Sequence, residues 1–209
     1  EVAYADGNRD EEQSNALDAQ GSGPEALAKL SAAVEHYRHA ANTLEEAVQR
    51  YPEAPQATQA RYHWAEALRR IAKLPRRKLR DANIEAIRLG LIKEIQTSVG
   101  ESLHVYELLQ NDLNQKQERR PLTALEAIVL RNCYFIQGDL HYEVGQYDEA
   151  IVAYKAASNR YQNLPEALHA YFQIAACHRR MNRNADARGA LEQAKVILSR
   201  INADDAAFL

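Results

Sequence analysis

Sulfur and the largest aromatics are scarce in this chain, with two cysteines, one methionine, one tryptophan and three phenylalanines in 209 residues. Cys133 and Cys177 stand apart, with no CxxC and no Cys/His cluster around either, so nothing reads as a zinc site or a dithiol redox centre. Both read as small buried hydrophobes on neighbouring helices. Glycine and proline are also few, at eight and six, and no stretch alternates β-branched with polar residues. Strong helix formers fill the space instead, so the chain reads as all-α. No apolar run reaches the ~18 residues that a membrane-spanning helix needs. Neither sign of charge dominates: the net charge is −3 and the pI about 6.2, which gives no global pull toward nucleic acid or an anionic membrane. A glycine-rich phosphate loop, a nucleophile elbow and a recognisable acid–base pair are all missing. His36 and His39 share a helix face and His63 lies beyond the turn at Pro55, but there is no His-Glu-x-x-His. No enzyme activity, cofactor or metal is therefore expected.

What is present is a unit written twice. Tyr134, Gly138, Gly145, Ala150, Tyr154 and Ala157 fall on Tyr171, Ala175, Asn182, Ala187, Leu191 and Ala194, at one offset of 37 residues. A fixed period of this size marks a repeat array. Each unit reads as two helices, roughly 122–144 with 148–161 and 166–181 with 185–201. Small residues at 138, 175, 150 and 187 sit where helix axes approach closely. Gly145 and Asn182 suit a left-handed cap at the end of each first helix. A weaker echo at an offset of 110 pairs Ala40, Ala47, Tyr51, Pro55, Ala60, Tyr62 and Ala65 with Ala150, Ala157, Tyr161, Pro165, Ala170, Phe172 and Ala175. It extends the pattern back toward residue 25.

The run Gly138, Tyr142, Gly145, Tyr147, Glu149, Ala150, Tyr154, Ala157 resembles the tetratricopeptide repeat. The period of 37 and the Tyr-x-x-x-Pro junction look like the longer-period subset of bacterial cell-envelope assembly and trafficking proteins. The resemblance implies a right-handed solenoid of antiparallel helix pairs acting as a non-catalytic scaffold for protein–protein interaction. It also points, on its own, to a periplasmic or envelope-associated setting. Its clearest repeats are 131–164 and 168–201, inside a repeat domain spanning 24–202.

Residues 1–23 are polar and acidic and read as a flexible leader. The stretch 81–114 carries apolar spacing for one long central helix, or for two with a kink at Gly100; Gly90 and Gly100 mark weak points or close contacts. Residues 114–120 read as a polar linker, and Thr123 with Glu126 as a capping box. The tail 203–209 combines Asp204 and Asp205 with Phe208 and Leu209. Since the chain begins with Glu, it reads as a processed mature form or a cut-out piece of a larger protein, and the broad apolar face of the last helix, with Ala190, Leu191, Ala194, Val196, Ile197 and Leu198, reads as covered by a further element or a partner copy.

In such repeats the first helices line a concave face. The resemblance places there Asn132, Phe135, Asp139, Tyr142 and Glu143, then His169, Phe172, Arg179 and Arg180, and earlier Tyr62, Arg69 and Arg70. Asn132 resembles the asparagine of a carboxylate clamp, but no lysine accompanies it. The expected partner is a protein or peptide, acidic where it meets the arginines. Two other readings remain open. One is self-association as a structural module of a larger assembly. The other is weak binding to nucleic acid or an anionic surface through residues 69–80, which hold seven basic residues and no acid, including Arg76, Arg77, Lys78 and Arg80. The aromatic interleaving that would stack on bases is absent there, which disfavours nucleic acid.

Overall fold

A computed structural model describes residues 2–201; the 203–209 tail reading lies outside the described residues. The described residues are helical with no strand among them. In chain order the helices are α1 (Val2–Ala19), α2 (Gly23–Arg50), α3 (Ala57–Ile71), α4 (Lys73–Asp81), α5 (Glu85–Arg119), α6 (Ala124–Glu143), α7 (Tyr147–Arg160), α8 (Pro165–Arg180) and α9 (Asn184–Leu198). They divide into two compact units, Glu1–Leu109 and Gln110–Leu209.

In the first unit α1 packs along α2, α2 packs on α3, and α4 touches both α2 and α3. The early part of α5 is tied to α3: the Ser102 hydroxyl donates to the Ala65 carbonyl at 2.8 Å, and the Tyr106 hydroxyl to Glu66 at 2.6 Å. Val34, Tyr37, Ala65 and Tyr106 are closed to solvent. In the second unit α6, α7, α8 and α9 pack each on the next, and α6 also meets α8. Ala150, Tyr154, Ala170, Ile174, Ala175 and Ala187 form its core. Ala150 and Ala187, expected at the close approaches, are both buried.

Three expectations change. Residues 2–19 form a helix instead of a flexible leader, and its buried stripe is Gly7, Asp10, Glu11 and Ser14. Charge and hydrogen bonds hold it where apolar side chains normally would. The stretch 85–119 is one helix, so residues 114–119 extend it and form no linker. A Cβ at Gly90 or Gly100 would meet nothing within 4 Å, so neither glycine marks a close contact and the helix runs through both. The Asp112–Lys116 pair at 2.8 Å has the i,i+4 spacing that supports its polar last turns.

A shared device recurs within the hairpins. The ring of Tyr154 lies so close to Gly138 that a Cβ there would sit 2.5 Å from two ring carbons. The Tyr154 hydroxyl donates to Asp139, the next residue, at 2.6 Å. In α1 and α2 the ring of Tyr37 covers Gly7, where a Cβ would sit 2.7 Å away, and its hydroxyl lies 3.0 Å from Asn8. In α3 and α5 the Tyr106 hydroxyl likewise donates to a carboxylate, Glu66, the residue after the buried Ala65. The turns match as well. Gly145 and Asn182 have the expected positive φ, 80° and 60°, and Gly21 has 81°. In each turn the following N–H returns to a carbonyl five residues back: Gln146 to His141, Arg183 to His178 and Ser22 to Leu17. Gly7 lies fourteen residues before Gly21 and Tyr37 sixteen after it; Gly138 lies seven before Gly145 and Tyr154 nine after. Each arm of the α1–α2 pair is thus longer by seven residues, about two helical turns, which preserves the contacting face.

α6 starts with the expected capping box. Glu126 N–H donates to the Thr123 hydroxyl at 3.2 Å and Thr123 N–H to the Glu126 carboxylate at 2.9 Å. Arg120 adds two bonds to that carboxylate at 2.7 and 2.9 Å. The Arg120 bond chiefly, with those from Thr123, outweighs burial and holds the Glu126 pKa at about 2, below its ordinary 4.5. A depressed carboxylate stabilises the fold above its unfolded pKa and loses that contribution as pH falls through its folded one. Urea midpoints of the native chain should therefore drop between pH 4.5 and 2, and Glu126→Gln should flatten that part of the curve.

Candidate functional site

Helices α6 and α8 carry the residues expected to line a binding face. On α8, His169, Phe172, Ala176, Arg179 and Arg180 recur at helical spacing along one stripe. His169 is exposed and contacts Gln173 at 3.2 Å. Phe172 leaves 49% of its surface in solvent, on the same stripe. Arg179 and Arg180 belong to the basic last turn of α8, a placement that the helix dipole favours.

On α6, Tyr142 stands near the helix end and packs edge-on against Tyr147, with ring centroids 5.5 Å apart. Its hydroxyl oxygen accepts from Arg180 Nε at 3.4 Å, a contact that further favours the charged guanidinium. Tyr142, Ala176, Arg179 and Arg180 together line a recess of about 350 Å³. At the position after the small residue, α6 carries Asp139 whereas α8 carries Ala176. Among the described residues no carboxylate pairs with Arg179 or Arg180. Neighbouring arginines differ: Arg183 meets Asp148 at 2.6 Å and Arg131 meets Glu166 at 3.3 Å.

The other expected residues are engaged elsewhere. Asn132, Phe135 and Glu143 are half-buried, with Phe135 against the Tyr161 ring at 5.9 Å. Asp139 accepts from Tyr154. In the first unit Tyr62 lies edge-on to Tyr106 at 5.7 Å. Arg69 is 3.8 Å from Glu66. Arg70 turns inward, 3.1 Å from Glu11 and 3.2 Å from the Tyr37 hydroxyl, with its guanidinium over the Tyr4 and Tyr37 rings. Burial chiefly, and the Glu11 carboxylate beside it, push the Tyr37 pKa up even though Arg70 acts in the opposite direction.

The basic run therefore meets acid inside its own unit. Lys73 bonds Glu11, and Arg77 makes two bonds to Asp18 at 2.6 and 2.8 Å. Lys78 and Arg80 are exposed and Arg76 is half-buried. The acidic segment at the start of the chain is the counterpart of this run, which weakens the anionic-surface reading. Sequence reading missed α1 altogether. Gly7-Asn8 before Gly21-Ser22 and Tyr37 beyond was the signal that could have revealed it.

The histidines disperse: His36 lies 3.5 Å from Asp10, and the His63 ring packs on Tyr4 at 5.0 Å. Among the described residues no group of three or more His, Cys, Asp or Glu could hold a metal ion. Cys133 and Cys177 are free, and burial pushes their thiols up to about 12 and about 11.

No protein-family model and no curated protein sequence matches the chain. Among solved structures, the DHF58 filament is similar with a TM-score of 0.50 at 16% identity, over 95% of this chain and 96% of that one. BtubC (BKLC) from P. vanneervenii gives a TM-score of 0.36 at 16% identity, over 95% of this chain and 90% of its own. At such identities the first likeness speaks to the fold alone, and the second score is too low to carry an argument. No helix among the described residues is long and apolar enough to cross a membrane.

Proposed function

We propose that this chain is a non-catalytic interaction scaffold, a tetratricopeptide-like solenoid of helix pairs whose α6–α8 face takes an acidic segment of a protein partner. The observation that carries this reading is the pair Arg179 and Arg180, exposed at a recess and unpaired with acid, in a chain whose other arginines commonly meet carboxylates. A partner carboxylate entering the recess finds two guanidinium groups able to bind it bidentately, with Tyr142 as a neighbouring donor. An apolar side chain about two helical turns away on the partner would cover Phe172. Because α6 and α8 are already packed, little of their ordering entropy is lost on binding.

Anisotropy titration of a fluorescent peptide rich in Asp and Glu, with one Leu or Phe, tests this. Arg179→Glu with Arg180→Glu should weaken binding by about thirtyfold or more, since a charge-assisted bond contributes roughly 1.5–3 kcal/mol. Phe172→Ala should cost a few-fold and Lys78→Glu almost nothing. Equal affinity for the arginine variant and the native chain would reject the site.

Self-association is the second reading. It is favoured by the exposed Leu191 and Leu198, seven residues apart on α9, and by the fold shared with a protein that forms a filament. Sedimentation over a wide concentration range separates the two, because a monomer at high concentration contradicts self-association.

A further inference from the structure

We propose that the corner where α4 meets α5 docks on an anionic lipid surface. Ile84, Ile87 and Leu89 enter the headgroup layer, and Lys78 and Arg80 stay at its phosphates. The corner lies wholly inside the first unit and shares no residue with the α6–α8 recess.

The basic run divides into two parts. Arg70 and Lys73 are held by Glu11, and Arg77 by Asp18. Lys78 and Arg80, in the last turn of α4, are exposed, and among the described residues neither meets a carboxylate. Charge alone would make a weak and unselective contact. The chain that follows supplies an apolar companion. Ile84, Ile87 and Leu89 each leave half or more of their surface in solvent. Arg88 fastens them beside the cations. Its guanidinium Nη1 donates to the Leu79 carbonyl at 3.3 Å and to the Ala82 carbonyl at 3.0 Å. Its N–H donates to the Ile84 carbonyl at 3.0 Å. The end of α4 and the first turn of α5 are thereby held together, so cations and aliphatics share one corner.

Two features point to lipid as the occupant. Ile87 and Leu89 are two positions apart, about 200° around the helix, and Ile84 stands at its head. A protein surface packing on one side would leave one of them in water, whereas a fluid headgroup layer closes around the whole tip. The local charge is also of the matching sign: residues 76–93 hold six basic and two acidic residues. Anionic headgroups attract such a cluster, and aliphatic insertion adds to that attraction. A second copy of the same corner would instead set cation against cation.

Sedimentation of the full chain with lipid vesicles tests the assignment. The native chain should bind phosphatidylcholine vesicles carrying about 30% phosphatidylserine, and bind pure phosphatidylcholine about tenfold or more weakly. Lys78→Glu with Arg80→Glu should lower binding to the anionic vesicles by about tenfold or more. Ile84→Ser with Ile87→Ser and Leu89→Ser should lower it by about tenfold at unchanged net charge. All five side chains are exposed, so both variants should keep the native urea midpoint. Arg179→Glu with Arg180→Glu changes the net charge equally and should cost a few-fold at most. Failure of the native chain to bind either vesicle overturns the proposal. So does native-like binding by the serine variant, which leaves charge alone to carry the contact, or an equal loss in the Arg179, Arg180 control. A soluble acidic peptide that binds as tightly as the vesicles, and is lost in the same two variants, would place a protein at the corner instead.

Discussion

Replacing Gly138 with alanine is expected to destabilise the second unit by about 2 kcal/mol, within the range for overpacking a close-packed core. Helix propensity alone predicts the opposite sign, since alanine is favoured over glycine by about 1 kcal/mol inside a helix. The clash decides the outcome. The added Cβ would lie 2.5 Å from two Tyr154 ring carbons, and that ring is 1% exposed and fastened through its hydroxyl to Asp139. Tyr154→Leu should cost about 3 kcal/mol through a lost ring and the loss of its bond to Asp139. The two changes together should cost less than their sum, by about 1–2 kcal/mol, because leucine leaves room for the methyl group. The same residue types occur 37 residues on, as Ala175 and Leu191, although there the leucine is 39% exposed. Urea unfolding read through hydrogen exchange in α6 and α7 measures the cycle; strictly additive costs would contradict the shared register.

Glu11→Ala is expected to release α1 and to cost about 2–3 kcal/mol, below the usual loss for a fully buried ion pair because solvent partly screens this one. Arg70 would remain among the Tyr4 and Tyr37 rings with only the Glu66 carboxylate, 3.6 Å away, and Lys73 would lose the Glu11 bond. The same group sets a pH response. Burial tends to raise the Glu11 pKa, but the Lys73 bond and charge, the Tyr37 hydroxyl and the Arg70 charge together lower it. Its contribution is therefore complete above the ordinary carboxylate value of 4.5 and fades as pH falls below it. Exchange rates in α1, corrected for intrinsic chemistry, should rise on acidification of the native chain and be high at both pH values in Glu11→Ala. Native-like protection in that variant would show that α1 is held by other contacts.

The C-terminal hairpins were legible because their constraints are local. A left-handed residue at 145 and 182, a small residue at 138 and 175, and the Thr123–Glu126 box all follow from backbone geometry within a few residues. The recess partners Tyr142, Arg179 and Arg180 were legible through the same register. α1 was hidden because pattern reading looks for an apolar stripe, while Gly7, Asp10, Glu11 and Ser14 present a polar one. The partners of those acids lie far away in sequence, as with Asp18 and Arg77, 59 residues apart. The seven extra residues in each arm of α1 and α2 also moved the hairpin out of the 37-residue period. Gly100 offered a division into two helices, yet α5 runs through it, and a Cβ there would meet nothing within 4 Å.

Residue-resolved NMR on the isotope-labelled full chain, titrated with the acidic peptide, tests the binding face most directly. The expected shifts cluster at Tyr142, Phe172, Ala176, Arg179 and Arg180, and disappear in the Arg179→Glu, Arg180→Glu variant. Shifts confined to residues 69–80, or none at any peptide concentration, would contradict a carboxylate-binding face on α6 and α8.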